Sequence, residues 1–346
     1  MKKSITINET INILKKKEIH VAGDKSLSIR FVLMSSLCKG KCTATNILVS
    51  EDVLSIVKSI KKLGIKINLE GNNCEVFGKG LFGYNYKKDL VLDAGNSGTT
   101  ARLLCATLID SNYKIKIVGD NSLQKRDMSR IIKPLEMFGA SFEHSNGKLP
   151  LFIKGSKDLR AIKFTENLGS AQRKSAVMIA ALKTPGVTKM KCLPSRNHTE
   201  LIFKNVLKIP IKIKKNKNYD FIEVKGMKEF KPFKYKIPGD MSSASFFIVL
   251  TLLSKNSTLT IKNVNINPSR TGIIKVLNMM GAKIKFTNIK KVYGEKIADL
   301  KIVSKKILNG INLSPRLNSA AIDEFLLIFL VAAVSKGVST FKRLSE

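Results

Sequence analysis

A repeated pattern of helices constrains the fold of this chain more than any other feature of its sequence. Five segments with a small polar start and an apolar continuation begin near residues 25, 98, 171, 242 and 321, at steps of 73, 73, 71 and 79 residues. A stretch rich in β-forming residues follows each segment. Repetition at a nearly fixed period indicates that one supersecondary unit is used several times.

A second family of helices lies between the members of the first. Residues 56–70, 131–145 and 273–287 each predict an amphipathic helix that ends at a glycine, followed by an alternating strand. Glycine supplies the left-handed residue that commonly ends a helix. A weaker copy at 201–215 lacks that glycine. Each unit therefore has the order helix, strand, helix, strand, strand, which predicts an α/β fold built from repeated units.

The first family of helices indicates where the interior lies. These helices are apolar around almost their whole circumference, so we expect them to be buried at a domain centre. A chain of 346 residues exceeds what one hydrophobic core usually supports, which predicts two domains. The fifth unit stops where its second helix is due, so we expect a truncated chain that lacks on the order of 80–100 residues of the repeat series.

The formal net charge of +35 permits two interpretations. A nucleic-acid or membrane-surface partner is one, and a lysine-rich solvated surface is the other. The chain has 51 lysines but only 10 arginines, and the lysines are spread evenly with few aromatic residues among them. This distribution favours the solvated surface. The scarce arginines are then informative, because arginine is the residue that binds anions in bidentate geometry.

Several other classes of protein are disfavoured. The longest apolar run, residues 325–334, is too short to span a bilayer, and residues 1–18 lack the apolar core of a signal peptide. We therefore expect a cytoplasmic protein with no membrane partner. Five cysteines without a CxxC pair and three scattered histidines predict neither a metal site nor a disulfide framework. A glycine-rich match at 78–83 is not followed by a helix, so it predicts no dinucleotide site.

Polar clusters stand at the start of four of the apolar helices. They are "GDKSLSIR" (23–30), "GNSGTTAR" (95–102), "GSAQRK" (169–174) and "GDMSS" (239–243). Helix N-termini bind anions readily through their free N–H groups and the positive end of the dipole. N-capping accounts for one hydroxyl per helix. It does not account for Lys25 together with Arg30, or Gln172 together with Lys174, so an anion site is favoured over capping alone.

Charged residues beside these motifs suggest a polyanionic ligand and a base. Six cations suggest a ligand with more than one phosphate or carboxylate, and they are Lys25, Arg30, Arg102, Arg126, Arg196 and Arg270. Asp323 and Glu324 stand at the start of the last apolar helix, where a capping pair is one interpretation. If the helix starts converge, Asp323 faces the cations and is placed to act as a base.

Taken together, the motifs resemble those of the 5-enolpyruvylshikimate-3-phosphate synthase family, the 3-phosphoshikimate 1-carboxyvinyltransferases. The matching segments cover essentially the whole chain and are "GDKSLSIR", "LDAGNSGTTARLL", "GDNSLQKRDMSR", "GSAQRKSAVMIAAL", "SRNHTE", "PGDMSSASFF" and "IDEF". The resemblance implies the two-domain enolpyruvyl transferase fold, made of βαβαββ units with buried parallel helices, of which the last one and a half units are missing here. One domain would comprise residues 20–236, and the other residues 1–19 with 237–346.

The resemblance also implies roles for individual residues. Lys25 would contact both substrates and act in catalysis with Asp323, the base that accepts the proton of the 5-hydroxyl group. Shikimate 3-phosphate would be held by Lys25, Ser26, Arg30, Ser170, Gln172, Ser195 and Asp323. Phosphoenolpyruvate would be held by Lys25, Asn96, Gly98, Arg126 and Gln172. No metal or organic cofactor is implied, and the implied state is a monomer without nucleic acid.

Two departures from the family pattern and three alternatives stay open at this point. Asp127 stands where the family usually has proline, which affects the loop that carries Arg126. A "KESDR" segment expected after Glu346 is absent, so we expect no turnover from this chain alone. The alternatives are a UDP-N-acetylglucosamine enolpyruvyl transferase, a basic nucleic-acid-binding repeat protein and a pseudoenzyme.

Overall fold

The computed structural model describes residues 17–304 and 307–344. Residues 1–16, which carry most of the segment inspected for a signal peptide and of the predicted 1–19 domain segment, lie outside the described residues. The strands are β1 (Lys17–His20), β2 (Lys39–Thr45), β3 (Lys66–Glu70), β4 (Asn73–Lys79), β5 (Val91–Asp93), β6 (Lys114–Val118), β7 (Ser141–His144), β8 (Leu151–Lys154), β9 (Lys163–Glu166), β10 (Val187–Cys192), β11 (Ile211–Lys215), β12 (Asp220–Lys225), β13 (Lys234–Lys236), β14 (Thr258–Asn265), β15 (Lys283–Val292) and β16 (Glu295–Val303).

Helices alternate with these strands along the chain. They are α1 (Lys25–Ser36), α2 (Glu51–Lys62), α3 (Gly98–Thr107), α4 (Asn121–Gln124), α5 (Ser129–Met137), α6 (Ala171–Leu182), α7 (His198–Asn205), α8 (Met241–Leu253), α9 (Gly272–Met279), α10 (Asn318–Ala321) and α11 (Phe325–Ala333). Two short 3₁₀ turns, Pro315–Leu317 and Ile322–Glu324, lie near the end.

The chain forms two compact units. Unit 1 consists of residues 1–22 and 238–346, and unit 2 consists of residues 23–237. Among the described residues, unit 2 contains three four-stranded sheets, with strand orders β13-β2-β4-β3, β5-β6-β8-β7 and β11-β12-β10-β9, and unit 1 contains one, β1-β14-β16-β15. Each sheet has one parallel pair of strands and two antiparallel pairs. This shared pattern is consistent with a repeated βαβαββ unit.

The parallel pairs explain why the chain passes between the units twice. Strand β1 comes just before α1 in the sequence, yet it pairs with β14 of unit 1. Strand β13 comes just before α8, yet it pairs with β2 of unit 2. In both cases, the strand directly before the first helix of one unit belongs to a sheet of the other unit.

The amphipathic helices form where local signals agree. In α2, Glu51 and Asp52 occupy the first turn and two lysines the last, as the helix dipole favours. Its residues Val53, Ile56, Val57 and Ile60 are buried, at the spacing that places them on one face. The predicted positions of the second helix family are therefore confirmed, and sequence pattern alone is sufficient to explain them.

The residues that end these helices are left-handed, as the glycine pattern predicts. Gly64, Gly139 and Gly281 have φ angles of 83°, 115° and 95°. In the weaker fourth copy the turn after α7 is made by Lys208, with φ 53°. A non-glycine residue in this region is strained by contact between its Cβ and the backbone. The lost glycine is thus replaced at a local energetic cost.

The prediction that the apolar helices are buried is confirmed in unit 2. Every residue from Leu27 to Ser36 of α1 is buried, as are most residues of α3 and α6. Helix α3 packs against both α1 and α6. Three helices therefore cover one another and need no polar face.

The same prediction is wrong for unit 1. Helix α8 exposes Phe246 (65%) and Phe247 (41%), and α11 exposes Leu326 (82%) and Leu330 (50%). The physical reason is that the described part of unit 1 has only these two helices of the apolar family, which pack against each other and leave one side of each uncovered. The strand predicted after α11 is also wrong, because residues 334–344 make only the isolated bridges Asn309–Lys336 and Asn312–Thr340.

The five cysteines are buried and carry no disulfide bond. Cys38, Cys42, Cys74, Cys105 and Cys192 all lie in unit 2, where they are small residues of the core.

Candidate active site

The first cluster lies at the start of α1. Asp24 caps this helix by accepting a hydrogen bond from the backbone N–H of Leu27 at 2.9 Å. Arg30 is only 4% exposed and donates to the carbonyl of Ser26, to Oγ1 of Thr199 and to Oγ of Ser175. Its guanidinium group thereby connects α1 with α6 and α7. Lys25 is exposed at the helix start, with Nζ 3.7 Å from Oδ2 of Asp52.

The second cluster lies at the start of α3. Asn96 accepts a hydrogen bond from Arg126 at 3.2 Å and donates to Oδ2 of Asp120 at 2.6 Å. A Cβ atom added to Gly98 would lie 3.0 Å from Nη1 of Arg102 and 3.4 Å from Nη1 of Arg126. Two guanidinium groups therefore approach the backbone at Gly98, where any side chain would crowd them. Such a bare backbone beside two arginines suits a small anion.

Gln172 joins α6 to this second cluster. Its Oε1 accepts a hydrogen bond from Arg102, and its Nε2 donates to Oγ1 of Thr99 at 2.9 Å. Arg102 also donates to the carbonyl of Asp127 at 2.9 Å. The side chain of Gln172 is therefore held in one orientation between α3 and α6.

The ionisable groups here show that positive charge is concentrated around α3. Burial lowers the pKa of Arg102, and the nearby Arg130 and Arg126 lower it further. Hydrogen bonds from Asn96 and from backbone N–H groups, with the charge of Arg126, hold the pKa of Asp120 below its usual value. Burial alone would raise the pKa of Asp127, but its contacts with Ser129 and the neighbouring arginines lower it overall. The local electrostatic environment favours a bound anion.

Asp127 affects its loop in a way that the sequence did not reveal. Its Oδ1 accepts a hydrogen bond from the backbone N–H of Ser129 at 2.8 Å, at the start of α5, and its Oδ2 is 3.8 Å from Nε of Arg130. The carboxylate thus stabilises the helix start that follows Arg126.

The third cluster lies at the starts of α6 and α7. Ser170 caps α6, its Oγ accepting from the backbone N–H of Arg173 at 3.3 Å. Ser195 lies in the segment before α7, and its Oγ is buried without a hydrogen-bond partner among the described residues. A buried hydroxyl without a partner is costly, and a polar ligand is one way to satisfy it.

Two of the cations noted in the sequence form ion pairs with carboxylates of the protein. Lys174 is completely buried, with Nζ 2.6 Å from Oε1 of Glu200, so it is not a surface cation of the α6 start. Arg270 lies in unit 1, where its Nη2 is 3.1 Å from Oδ1 of Asp240 and its Nη1 is 2.8 Å from Oδ2 of Asp323. Two carboxylates pair with its positive charge, and its place among the six cations that suggest a polyanionic ligand stays a prediction.

Asp323 therefore has a defined position within unit 1. It lies in the 3₁₀ turn directly before α11, and 45% of its side chain is exposed. Arg270 and Ser242 connect it to the start of α8, because Arg270 also donates to Oγ of Ser242, which donates to Glu324. The carboxylate is held in place while remaining open to solvent.

Sequence reasoning missed several residues that build these clusters. Side chains that the sequence singled out are held by hydrogen bonds or ion pairs from Thr99, Asp120, Ser175, Thr199 and Glu200. All five stand inside quoted motifs, yet their small or acidic side chains gave no signal of their own. Their partners are remote in sequence, as with Arg30 and Thr199, 169 positions apart.

Residues 17–304 and 307–344 were compared with the requirements of a metal site and of a membrane-spanning helix. Within these ranges, no group of three or more His, Cys, Asp or Glu side chains is arranged to hold a metal ion. None of the helices in the same ranges has both the length and the hydropathy needed to cross a bilayer.

The comparison with known protein families identifies the group to which this arrangement belongs. The family described as EPSP synthase (3-phosphoshikimate 1-carboxyvinyltransferase) matches residues 11–346. The chain belongs to the EPSP synthase family. It is therefore a transferase of the shikimate pathway, and the predicted family and enzyme class are confirmed.

Individual relatives support this assignment. The 3-phosphoshikimate 1-carboxyvinyltransferase of Ruthia magnifica is 41% identical over 321 residues, which are 92% of this chain and 72% of the relative. That of Thermoanaerobacter sp. is 40% identical over 334 residues, 96% of this chain and 77% of the relative. The protein of the same name from Petrotoga mobilis is 39% identical over 351 residues, 100% of this chain and 79% of the relative.

A solved structure supports the fold. The 2.37 Å structure of EPSP synthase from Acinetobacter baumannii is similar with a TM-score of 0.83 and 32% identity, over 95% of this chain and 74% of that one. The predicted α/β enolpyruvyl transferase fold is confirmed.

Proposed function

We propose that this chain binds shikimate 3-phosphate and phosphoenolpyruvate and transfers the enolpyruvyl group of the second to the 5-hydroxyl group of the first, releasing phosphate. One observation carries the proposal. The starts of α1, α3 and α6 in unit 2 bear arginines, hydroxyls and an amide that hydrogen-bond one another across helices, at the positions where the family motifs stand. Both substrates are polyanions, and such sites hold anions through charge-assisted hydrogen bonds.

Shikimate 3-phosphate is proposed to bind at the starts of α1 and α6 and the segment before α7. The proposed contacts in unit 2 are Lys25, Ser26, Arg30, Ser170, Gln172 and Ser195. Two features support them: the buried guanidinium group of Arg30 is fixed by α6 and α7, and Oγ of Ser195 is buried without a described partner. A fixed cation loses little conformational freedom on binding, which favours affinity.

Phosphoenolpyruvate is proposed to bind beside α3. The proposed contacts are Lys25, Asn96, Gly98, Arg126 and Gln172. The backbone of Gly98, which no side chain separates from the two guanidinium groups, supports this position. Cations fixed before the reaction also stabilise charge that develops on the phosphate and carboxylate groups in the transition state.

Asp323 is proposed as the base. It would accept the proton of the 5-hydroxyl group as that oxygen attacks C2 of phosphoenolpyruvate, giving a tetrahedral intermediate that then loses phosphate. Its half-exposed carboxylate, oriented by Arg270, supports this role. Phosphate release by the wild-type chain would overturn the expectation of no turnover, and Asp323→Asn should then slow that release by on the order of 10²–10⁴-fold. An unchanged rate would contradict this assignment and leave the proposed binding residues standing.

The two units are proposed to be the two domains of the family fold. Each unit has its own core of sheet and helices, which supports the division. The strand directly before the first helix of each unit belongs to a sheet of the other unit, which supports it as well. We also propose a cytoplasmic monomer that binds no nucleic acid, and the scattered distribution of lysines supports the absence of nucleic-acid binding. Sedimentation as a dimer, or salt-dependent retention on DNA that survives Lys25→Ala with Arg30→Ala, would contradict those two statements.

Ligand titration tests the central proposal. Isothermal titration calorimetry with shikimate 3-phosphate should show saturable binding, and titration with UDP-N-acetylglucosamine should show none. The reverse result would favour the sister enolpyruvyl transferase. Binding of neither compound would contradict the proposal.

A further inference from the structure

Lys174 needs an explanation other than ligand binding. It lies on α6, two positions after Gln172, yet its side chain is completely buried. Its Nζ lies 2.6 Å from Oε1 of Glu200, whose side chain is 4% exposed. Burying two charges is costly unless they are placed to attract each other strongly. The pair therefore specifies one position for the start of α7 relative to α6.

A second set of contacts fixes the neighbouring residue of α7. Thr199 accepts a hydrogen bond from Nε of Arg30 at 2.8 Å, and its Oγ1 is 2.7 Å from Oγ of Ser175. Thr199 and Glu200 thus attach the first turn of α7 to two helices, α1 through Arg30 and α6 through Ser175 and Lys174. The segment 195–197 leads directly into this turn, so its position depends on these contacts.

Buried polar atoms without partners are concentrated at the same place. Among the described residues, Oγ of Ser195 and Oε2 of Glu200 have no hydrogen-bond partner, and neither do Oε2 of Glu166 and Nε of Arg173. Nζ of Lys174 likewise makes no hydrogen bond of good geometry, so its contact with Glu200 is an ion pair. An ion pair that only stabilises the fold gives no reason for a nearby hydroxyl to lack a hydrogen bond. A hydroxyl that binds a ligand has such a reason, because the ligand supplies the missing partner.

We propose that Lys174 and Glu200 are positioning residues, which hold Ser195 and the start of α7 in the geometry that shikimate 3-phosphate needs and do not touch the substrate. This inference rests on the proposed function of the 195–197 segment. When one charge is removed, the other stays buried and uncompensated, and the first turn of α7 must shift so that water reaches it. Ser195 and Thr199 then shift with it.

The test uses charge removal, charge conservation and a matched control on the same helix. Glu200→Gln and Lys174→Met should each weaken shikimate 3-phosphate binding on the order of tenfold or more, as displaced positioning groups do. Lys174→Arg keeps the charge and should stay closer to the wild-type affinity. The control is Lys183→Met, which also removes a buried lysine of the α6 region but lies at the opposite end of the helix.

A second variant covers the case in which a single substitution prevents folding. Lys174→Met combined with Glu200→Leu replaces the pair by apolar residues, which usually leaves stability unchanged or raised. A purely structural pair predicts normal affinity in this double variant. The positioning role predicts weakened affinity, because apolar side chains do not fix the turn as an ion pair does.

Amide hydrogen exchange of the free chain separates this inference from the proposed function. Exchange at 197–201 should accelerate in Glu200→Gln and not in Lys183→Met. Unchanged exchange and unchanged affinity in Glu200→Gln would overturn the inference. If exchange accelerates while wild-type chain and Ser195→Ala alike fail to bind shikimate 3-phosphate, the proposed function fails and the control of the 195–197 segment by the ion pair stands.

Discussion

Helix α6 and its C-cap bury a lysine near each end, and the two lysines are paired differently. At the C-terminal end, Nζ of Lys183 donates to Oδ1 of Asp110 at 2.6 Å, to the carbonyl of Thr107 at 2.7 Å and to Tyr86 at 3.3 Å. It also lies 4.8 Å from the ring centre of Tyr84. An ammonium group has three donors, so this end is satisfied.

At the N-terminal end, Lys174 meets the carboxylate of Glu200 in a region where other buried polar atoms lack described partners. This contrast separates an ion pair that only stabilises the fold from one that lies beside a binding site. Protein folding alone usually completes buried hydrogen bonds. Where several stay incomplete around one helix start, a ligand is the simplest partner for them.

The largest expected effect is at the satisfied end. Lys183→Met leaves the Asp110 carboxylate without its cation and should lower the free energy of unfolding by about 3–5 kcal/mol. Urea denaturation measures this loss. Shikimate 3-phosphate affinity, measured on the folded protein, should stay at the wild-type value. A weakened affinity would break the distinction between the two ends of α6.

The stability contributed by Lys183 should also depend on pH in the alkaline range. Burial lowers the pKa of Lys183, and Asp110 offsets this only in part. The unfolded lysine, with a pKa of about 10.4, therefore binds a proton more tightly than the folded one. The charged Lys183 therefore lowers the free energy of unfolding at any pH below its pKa in the folded protein. This loss is recovered as the pH rises from that pKa to the pKa of the unfolded lysine.

The matched comparison for this pH effect is Lys183→Met with Asp110→Leu. As the pH rises toward about 10.4, the unfolding free energy of the wild type should rise relative to that of the double variant. Urea denaturation at several alkaline pH values measures it. Parallel pH curves for the two proteins would show that Lys183 has the same proton affinity folded and unfolded.

A smaller effect separates capping from binding at the N-terminal end. Ser170→Ala removes the cap of α6 and should cost about 1 kcal/mol of stability. Ser170→Asp retains a capping oxygen but adds a negative charge beside the proposed phosphate site. We expect Ser170→Asp to keep thermal stability and lose shikimate 3-phosphate binding. Normal binding of shikimate 3-phosphate by Ser170→Asp would show that Ser170 only caps α6 and does not contact the substrate.

The smallest effect concerns the turn after α7. Lys208 has a φ of 53°, in the region that favours glycine. Lys208→Gly should raise the unfolding free energy by about 0.5–1 kcal/mol, since relief of strain is partly offset by the greater freedom of glycine in the unfolded chain. Shikimate 3-phosphate affinity should not change. A loss of stability would show that the lysine makes contacts that outweigh its strain.

Local signals explain why much of the fold could be predicted. The caps of α1, α3 and α6, the charge pattern of α2 and the glycines after the amphipathic helices all act within a few residues. The sequence therefore located the helix starts that carry the candidate site. Gly98 was singled out only through the family resemblance, and the structure adds that two guanidinium groups approach its backbone.

Long-range partners explain what could not be predicted. Glu200 is an ordinary helix residue in the sequence, and only folding shows that it neutralises Lys174. Arg270 stands beside a motif, as do the arginines proposed to bind ligand, and only folding shows it between Asp240 and Asp323. The exposed faces of α8 and α11 depend on how many apolar helices share a unit, which hydrophobicity within one helix does not encode.

The most direct test of the account compares shikimate 3-phosphate affinity in three variants by isothermal titration calorimetry. Lys25 is exposed and Ser195 is small, so Lys25→Met and Ser195→Ala should fold normally and bind shikimate 3-phosphate on the order of tenfold or more weakly. Lys183→Met, at the far end of α6, should bind it as the wild type does. Equal affinities in all three variants, or weakening only in Lys183→Met, would contradict the central claim that unit 2 holds this substrate at the starts of α1, α6 and α7.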